Sequence, residues 1–192
     1  NTPEIEFADV RISFTDYEDI TFMNGSLRNF SSDLGSPAIG IRVLIAGCWG
    51  FAGAKNLDEN KIDILISQAI SNAKHGGKFM QKPVQFPAMK PTVAEYIHQP
   101  KINPFTMNRD EKVGYLQNLA QAIAPQGKIV HSYESGEFMR QERYYANTEG
   151  SYSHSVFYNT LPVMLVAAAE GSAVQTRTWP GHMSAGRGGF EL

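Results

Sequence analysis

Ile39-Gly40-Ile41-Arg42-Val43-Leu44-Ile45-Ala46-Gly47-Cys48-Trp49-Gly50-Phe51-Ala52 is the stretch whose reading decides the fold. Ile39, Ile41, Val43 and Ile45 recur every second residue, so they share one face of a strand. Ala46-Gly47 allows a turn, and Cys48 to Ala52 continues from it. The period then changes. From about Leu57 to Lys74, Ile62, Leu65, Ile66, Ala69, Ile70 and Ala73 follow helical spacing and form one apolar stripe. Asn56 or Asp58 can cap the start of this helix, and Gly76-Gly77 can end it.

Upstream, Val10, Ile12 and Phe14 alternate with polar residues as on a half-buried strand. Ile20 to Met23 lead into Asn24-Gly25, a dipeptide suited to a tight hairpin because both residues accept a positive φ. Leu27 to Ser31 return from it. Downstream, residues 78–106 carry Pro83, Pro87, Pro91, Pro100 and Pro104, too many for a long helix or a central strand, so an extended excursion is expected. A second helix is expected from about Arg109 to Ala124, with a capping-box-like start at Asn108 and Val113, Leu116, Leu119, Ala120 and Ile123 on its buried face. Strands follow over 128–135, 137–146, 151–158, 161–169 and 173–178, with turns at 147–150 and 170–172. Strands at both ends and two helices between them imply an antiparallel α+β fold over a single domain, residues 1–192.

Composition narrows the function classes. The 192 residues are 42% hydrophobic and 19% charged, as in a folded globular protein. A formal net charge of -2 gives no electrostatic case for nucleic acid. The longest apolar stretch, Leu161 to Ala169, contains Pro162 and is far short of the roughly 20 residues a membrane helix needs. Cys48 is the only cysteine, so an internal disulfide is excluded. The chain begins at Asn1 and closes on Gly186-Arg187-Gly188-Gly189-Phe190-Glu191-Leu192. It is read as a piece of a longer protein.

The residues alone do not assemble a catalytic set. His75, His98, His131, His154 and His182 lack the helical His-Glu-x-x-His spacing of a metal site; His131 and Glu134 face opposite sides of a strand. Gly47 to Gly53 is glycine-rich but lacks the Lys-Ser/Thr ending of a phosphate loop. Cys48 precedes His182 by the 130–150 or so residues typical of papain-like enzymes, which gives a Cys48-dependent hydrolase as one alternative. Against it, Cys48 leaves a strand, and neither an orienting Asn after His182 nor a Gln shortly before Cys48 is present. Asp16, Glu18 and Asp19 form a small acidic cluster. Glu134, Glu137, Glu142 and Glu149 could line one sheet region, without a spacing that marks an acid/base pair.

Five segments in order resemble the N-terminal half of the TldD/PmbA family, also called modulators of DNA gyrase. Ala8 to Ile12 resembles its first strand. Asn24-Gly25-Ser26-Leu27 with Ser31-Ser32 resembles its hairpin. Gly40 to Leu44 with Gly47 to Ala52 resembles its "GVRV…WGFA" block, Ala146 to Gly150 its "ANSEG" turn, and Gly186 to Glu191 its "GRGGYE" segment. The resemblance implies zinc-dependent peptidases acting on peptides or unfolded segments, as homodimers or heterodimers, mostly in the cytoplasm. It places the zinc motif in a C-terminal domain beyond this chain, so no cofactor and no catalytic residue are expected here. What it implies is a non-catalytic N-terminal domain shaping the peptide cleft and the dimer, with Asn147, Glu149, Gly186, Arg187, Gly188 and Gly189 near the domain junction. A stand-alone peptide- or protein-binding module is the remaining alternative.

Overall fold

The computed structural model describes residues 5–56, 58–181 and 185–192. Among the described residues the strands and α-helices follow in chain order as β1 (Phe7–Met23), β2 (Ser26–Ile45), β3 (Cys48–Lys55), α1 (Ile62–Gly76), β4 (Val93–Ile97), α2 (Arg109–Ala122), β5 (Ile129–Asn147), β6 (Tyr152–Glu170), β7 (Ala173–Trp179) and β8 (Gly186–Arg187). Among the described residues the strands form an eight-stranded sheet, ordered β3-β2-β1-β5-β6-β4, with β7 and β8 also paired to β6. This is the strand-rich α+β architecture with two helices that the sequence implies.

The turns explain how consecutive strands become neighbours. Asn24 (φ 51°) and Gly25 (φ 75°) make the two-residue link between β1 and β2. Ala46 (φ 48°) and Gly47 (φ 72°) do the same between β2 and β3, which pair antiparallel from Ala38 with Lys55 to Ile45 with Cys48.

Three expectations are corrected. First, the separate short strands are continuous: β1, β2, β5 and β6 are 17, 20, 19 and 19 residues long and run through the points where sequence signals suggested breaks. Pro162 is tolerated inside β6 because the pairing on one edge changes partner there, from β8 at Asn159 and Thr160 to β7 from Met164 onward. Second, the Pro-rich excursion contains β4, and β4 pairs parallel with β6, from Val93 with Tyr152 to Ile97 with Val156. Third, the first helix begins later than Leu57. A short 3₁₀ turn, Glu59–Lys61, precedes it, and Asp58 Oδ1 accepts from Asn60 N at 3.1 Å. Leu57 lies outside the described residues.

The chain divides into two compact units. Unit 1 comprises the chain up to Thr15, Gly35–Ile97 and Gln141–Val156. Its core joins Ile39, Ile41, Val43 and Ile45 of β2 and Ala52 of β3 to Leu65, Ala69 and Ala73 of α1. Burying each large aliphatic side chain contributes about 1.5–3 kcal/mol. Gly50 allows the close seating of α1 on β3, since a Cβ there would stand 2.0 Å from the Ala69 carbonyl. Unit 2 comprises Asp16–Leu34, His98–Arg140 and Phe157–Leu192. Its core groups Ile20 and Phe22 of β1 with Leu116 and Ala120 of α2 and Phe138 of β5. Asn108 Oδ1 caps α2 through Asp110 N at 2.8 Å.

Candidate functional site

The glycine-rich segment folds back on unit 2. Gly186 and Arg187 form β8, opposite Thr160 and Asn159. Gly188 N donates to the Tyr158 carbonyl at 3.1 Å. The buried Thr160 hydroxyl donates to the Gly188 and Gly189 carbonyls at 3.3 and 2.9 Å. Gly189 is required sterically: a Cβ there would stand 2.0 Å from the Ile102 carbonyl. The Glu191 carboxylate accepts from the backbone N–H groups of Gly189, Lys101 and Ile102 at 3.1, 3.2 and 2.9 Å. Its partial burial opposes ionisation, but these N–H donors outweigh it and hold the carboxyl down to about 2. The Arg187 guanidinium lies 4.5 Å from the centre of the Phe157 ring.

Asn147 and Glu149 lie in unit 1, at the turn between β5 and β6. Asn147 Oδ1 accepts from Glu149 N at 3.1 Å and Ser151 N at 2.8 Å, a side-chain mimic of a backbone turn. Glu149 Oε2 accepts from Met89 N at 3.1 Å, and Ser151 Oγ from Thr92 N at 3.1 Å. This turn therefore ties down the stretch that leads into β4.

β4 is the terminal strand of the sheet order, and all five of its residues are exposed. Tyr152 N donates to the Thr92 carbonyl at 2.9 Å. In a parallel ladder that bond turns the peptide groups of residues 92, 94 and 96 toward β6. Those of Val93, Glu95 and Ile97 then face away from it. A carboxylate–imidazole link crosses from β4 to the neighbouring strands. His154 Nδ1 stands 3.0 Å from Glu95 Oε1, and Nε2 stands 2.9 Å from Glu142 Oε1. Tyr144 stacks on the imidazole at 4.5 Å and donates to Glu142 at 2.6 Å. The Glu95 and Glu142 hydrogen bonds raise the His154 pKa above its ordinary value. Sequence reasoning left this group unassembled, because the three charged residues come from three strands. The one legible signal was the spacing of two that puts Glu142 and Tyr144 on the same strand face.

The four carboxylates expected to line one region divide between the units. Glu134 and Glu137 fall in unit 2, Glu142 and Glu149 in unit 1. Each has its own surroundings: Tyr17 Oη donates to Glu137 Oε2 at 3.1 Å, while Glu134 is buried. Asp9, 3% exposed, pairs with Arg42, whose guanidinium lies 4.9 Å from the Trp49 ring. Cys48 opens β3 with its Sγ 3.8 Å from the Trp49 carbonyl; His182, its proposed partner, lies outside the described residues. Among the described residues no three His, Cys, Asp or Glu side chains are gathered as a metal ion would need, and both His154 nitrogens already face carboxylates. These residues do not fit a zinc site. No described helix is long and apolar enough to cross a membrane.

Comparison with known proteins bears on the whole. Residues 8–73 match the family model for PmbA/TldA metallopeptidase domain 1. A metalloprotease of Methanocaldococcus jannaschii is 31% identical over 107 residues, covering 56% of this chain and 24% of that protein. Among solved structures, a Thermotoga maritima protein described as a modulator of a DNA gyrase matches with a TM-score of 0.67 at 17% identity, covering 96% of this chain and 41% of that one. TldE from Thermococcus kodakarensis matches with a TM-score of 0.65 at 16% identity, covering 95% and 40%. At such identities the structural likeness concerns the fold. The chain spans about a quarter of the curated relative and about two-fifths of the solved chains.

Proposed function

We propose that this chain, a member of the TldD/PmbA family through its first domain, is the non-catalytic N-terminal part of a zinc-dependent peptidase. Its role is to shape the cleft that holds a peptide or unfolded segment, and to contribute to a homodimer or heterodimer in the cytoplasm. The zinc and its ligands are assigned to the part of the protein beyond this chain, as the resemblance implies. Asn147, Glu149 and Gly186 to Gly189 are assigned to the surroundings of the domain junction.

The observation that carries the substrate reading is the edge strand β4. An extended peptide can add to a sheet edge by main-chain hydrogen bonds, which give affinity with little side-chain preference. β4 offers such an edge: Val93 is 78% exposed, and Tyr96 and Ile97 are each 49% exposed. The Asn147 turn and the His154 link hold this strand in place.

The test uses the full-length protein and a quenched fluorescent peptide. Val93→Pro removes an N–H that faces away from β6 and leaves the β4–β6 ladder intact. It is expected to raise KM several-fold with little change in Tm. Ala94→Pro, which breaks the ladder, should lower both activity and stability. An unchanged KM in Val93→Pro overturns the role of β4. Loss of turnover in a chelator, restored by zinc, checks the peptidase reading separately.

A further inference from the structure

Unit 2 holds a cavity of about 580 Å³, within the range of small-ligand sites. Leu116 and Leu119 of α2, Phe138 of β5, Val163 and Met164 of β6, and Phe190 give it an apolar wall. One wall residue does not belong there on packing grounds. Glu134 of β5 lines the cavity at 0% exposure, and among the described residues neither of its carboxyl oxygens has a hydrogen-bond partner in good geometry, the Ser132 hydroxyl being the one donor that bears on it. Ser132, two residues earlier and therefore on the same strand face, is also fully buried, and among the described residues its hydroxyl has no partner in good geometry, its pull on the Glu134 carboxyl being a weak one. A buried carboxyl without a partner is costly, and native interiors satisfy nearly all such groups. Protonation of the carboxyl or a ligand that brings a full donor would each relieve that cost.

We propose that this cavity binds an apolar group carrying one primary ammonium nitrogen, with the Glu134 carboxylate as its counter-ion. The charge follows from the wall, whose ionisable groups are carboxyls and a phenol: Glu134 on β5, Glu191, and Tyr115 on α2. Glu191 is already engaged by backbone N–H groups, which leaves Glu134 as the acceptor. An ammonium presents three donors and a guanidinium five, so an apolar wall leaves fewer of the ammonium's unmet. Trp179 of β7 is on the same lining. The amine has two possible sources, a free alkyl or aryl amine and the N-terminus of an apolar peptide. The site is independent of β4 and of the peptidase reading.

Ligand-free, burial pushes the Glu134 carboxyl above its usual range, against smaller opposite pulls from the Ser132 hydroxyl and from His131. Below that raised value the carboxyl is protonated, so binding an ammonium ion must expel one proton to the buffer. Amine affinity therefore rises with pH up to the pKa of the free site and levels off above it.

Isothermal titration of the full-length protein with phenylbutylamine and the isosteric phenylbutanol tests the site. Wild type is expected to bind the amine at least about tenfold more tightly than the alcohol. Glu134→Gln should bind the two alike and lose the pH dependence. Proton release, read in wild type as a buffer-dependent binding heat in the acidic part of a pH series, decides the matter even if that variant fails to fold. Phenylalanyl-leucinamide and its N-acetyl form separate the sources. Tighter binding of the free form assigns a peptide N-terminus, and amine binding without peptide binding assigns a small amine. Absence of amine binding in wild type, a preference that survives in Glu134→Gln, or buffer-independent heats throughout the pH series would overturn the proposal.

Discussion

Lys112 is 2% exposed in unit 2, where its ammonium pairs with Glu18 and donates to the Pro104 carbonyl at 2.8 Å. Helical spacing puts Lys112 on the same face as Leu116 and Ala120, so its burial was legible in the period, although its partners were not. Lys112→Ala leaves the Glu18 charge and the Pro104 carbonyl unmet in a dry interior. A loss of about 3–5 kcal/mol is expected from urea unfolding of the full-length protein, whereas replacing both partners by apolar residues should recover much of it. Glu191 acts in the opposite pH direction to a histidine. Its carboxyl is lowered from 4.5 to about 2, so its contribution is present above 4.5 and lost as pH falls through 2. Because the group is largely exposed, solvent screening keeps that contribution below about 1 kcal/mol. Glu191→Gln should flatten the stability profile in that window, as read from unfolding midpoints at its two ends.

At the scale of elements, β4 and the four long strands differ in what holds them. β4 is five exposed residues between prolines, and its attachment rests on pairing with β6, the Asn147 turn and the His154 link. The folded His154 pKa is raised above 6.5, so the link contributes fully below 6.5 and is lost as pH rises through the folded value. An NMR titration of the His154 ring is expected to give a midpoint above 6.5, moving back toward it in Glu95→Gln and in Glu142→Gln. The long strands contain their own local breakers. β2 passes through Ser31 to Pro37, with Gly35 at φ 70°, and β5 contains Gly136. Read locally, each breaker ends a strand. In the sheet, cross-strand pairing and side-chain packing outweigh a weak local preference, since β propensity is mostly a report of neighbours.

For the molecule as a whole, charge and core organisation were set by different levels of information. A net charge of -2 predicts weak, salt-sensitive association with duplex DNA at most. A mobility-shift assay should find micromolar or weaker binding that disappears between low and physiological salt; nanomolar binding would contradict it. The sequence by itself determined the α+β class, the two helices, the Asn24-Gly25 and Ala46-Gly47 turns and the resemblance carried by its first strands, because these are written in short-range period, turn chemistry and ordered local motifs. The tertiary structure alone decided strand length, the parallel seating of β4, the His154 link and the burial of Glu134 beside an apolar cavity. Each of those depends on residues far apart in the chain. Whether a carboxylate there is solvated, paired or buried is a property of its neighbours in space, which no local pattern encodes.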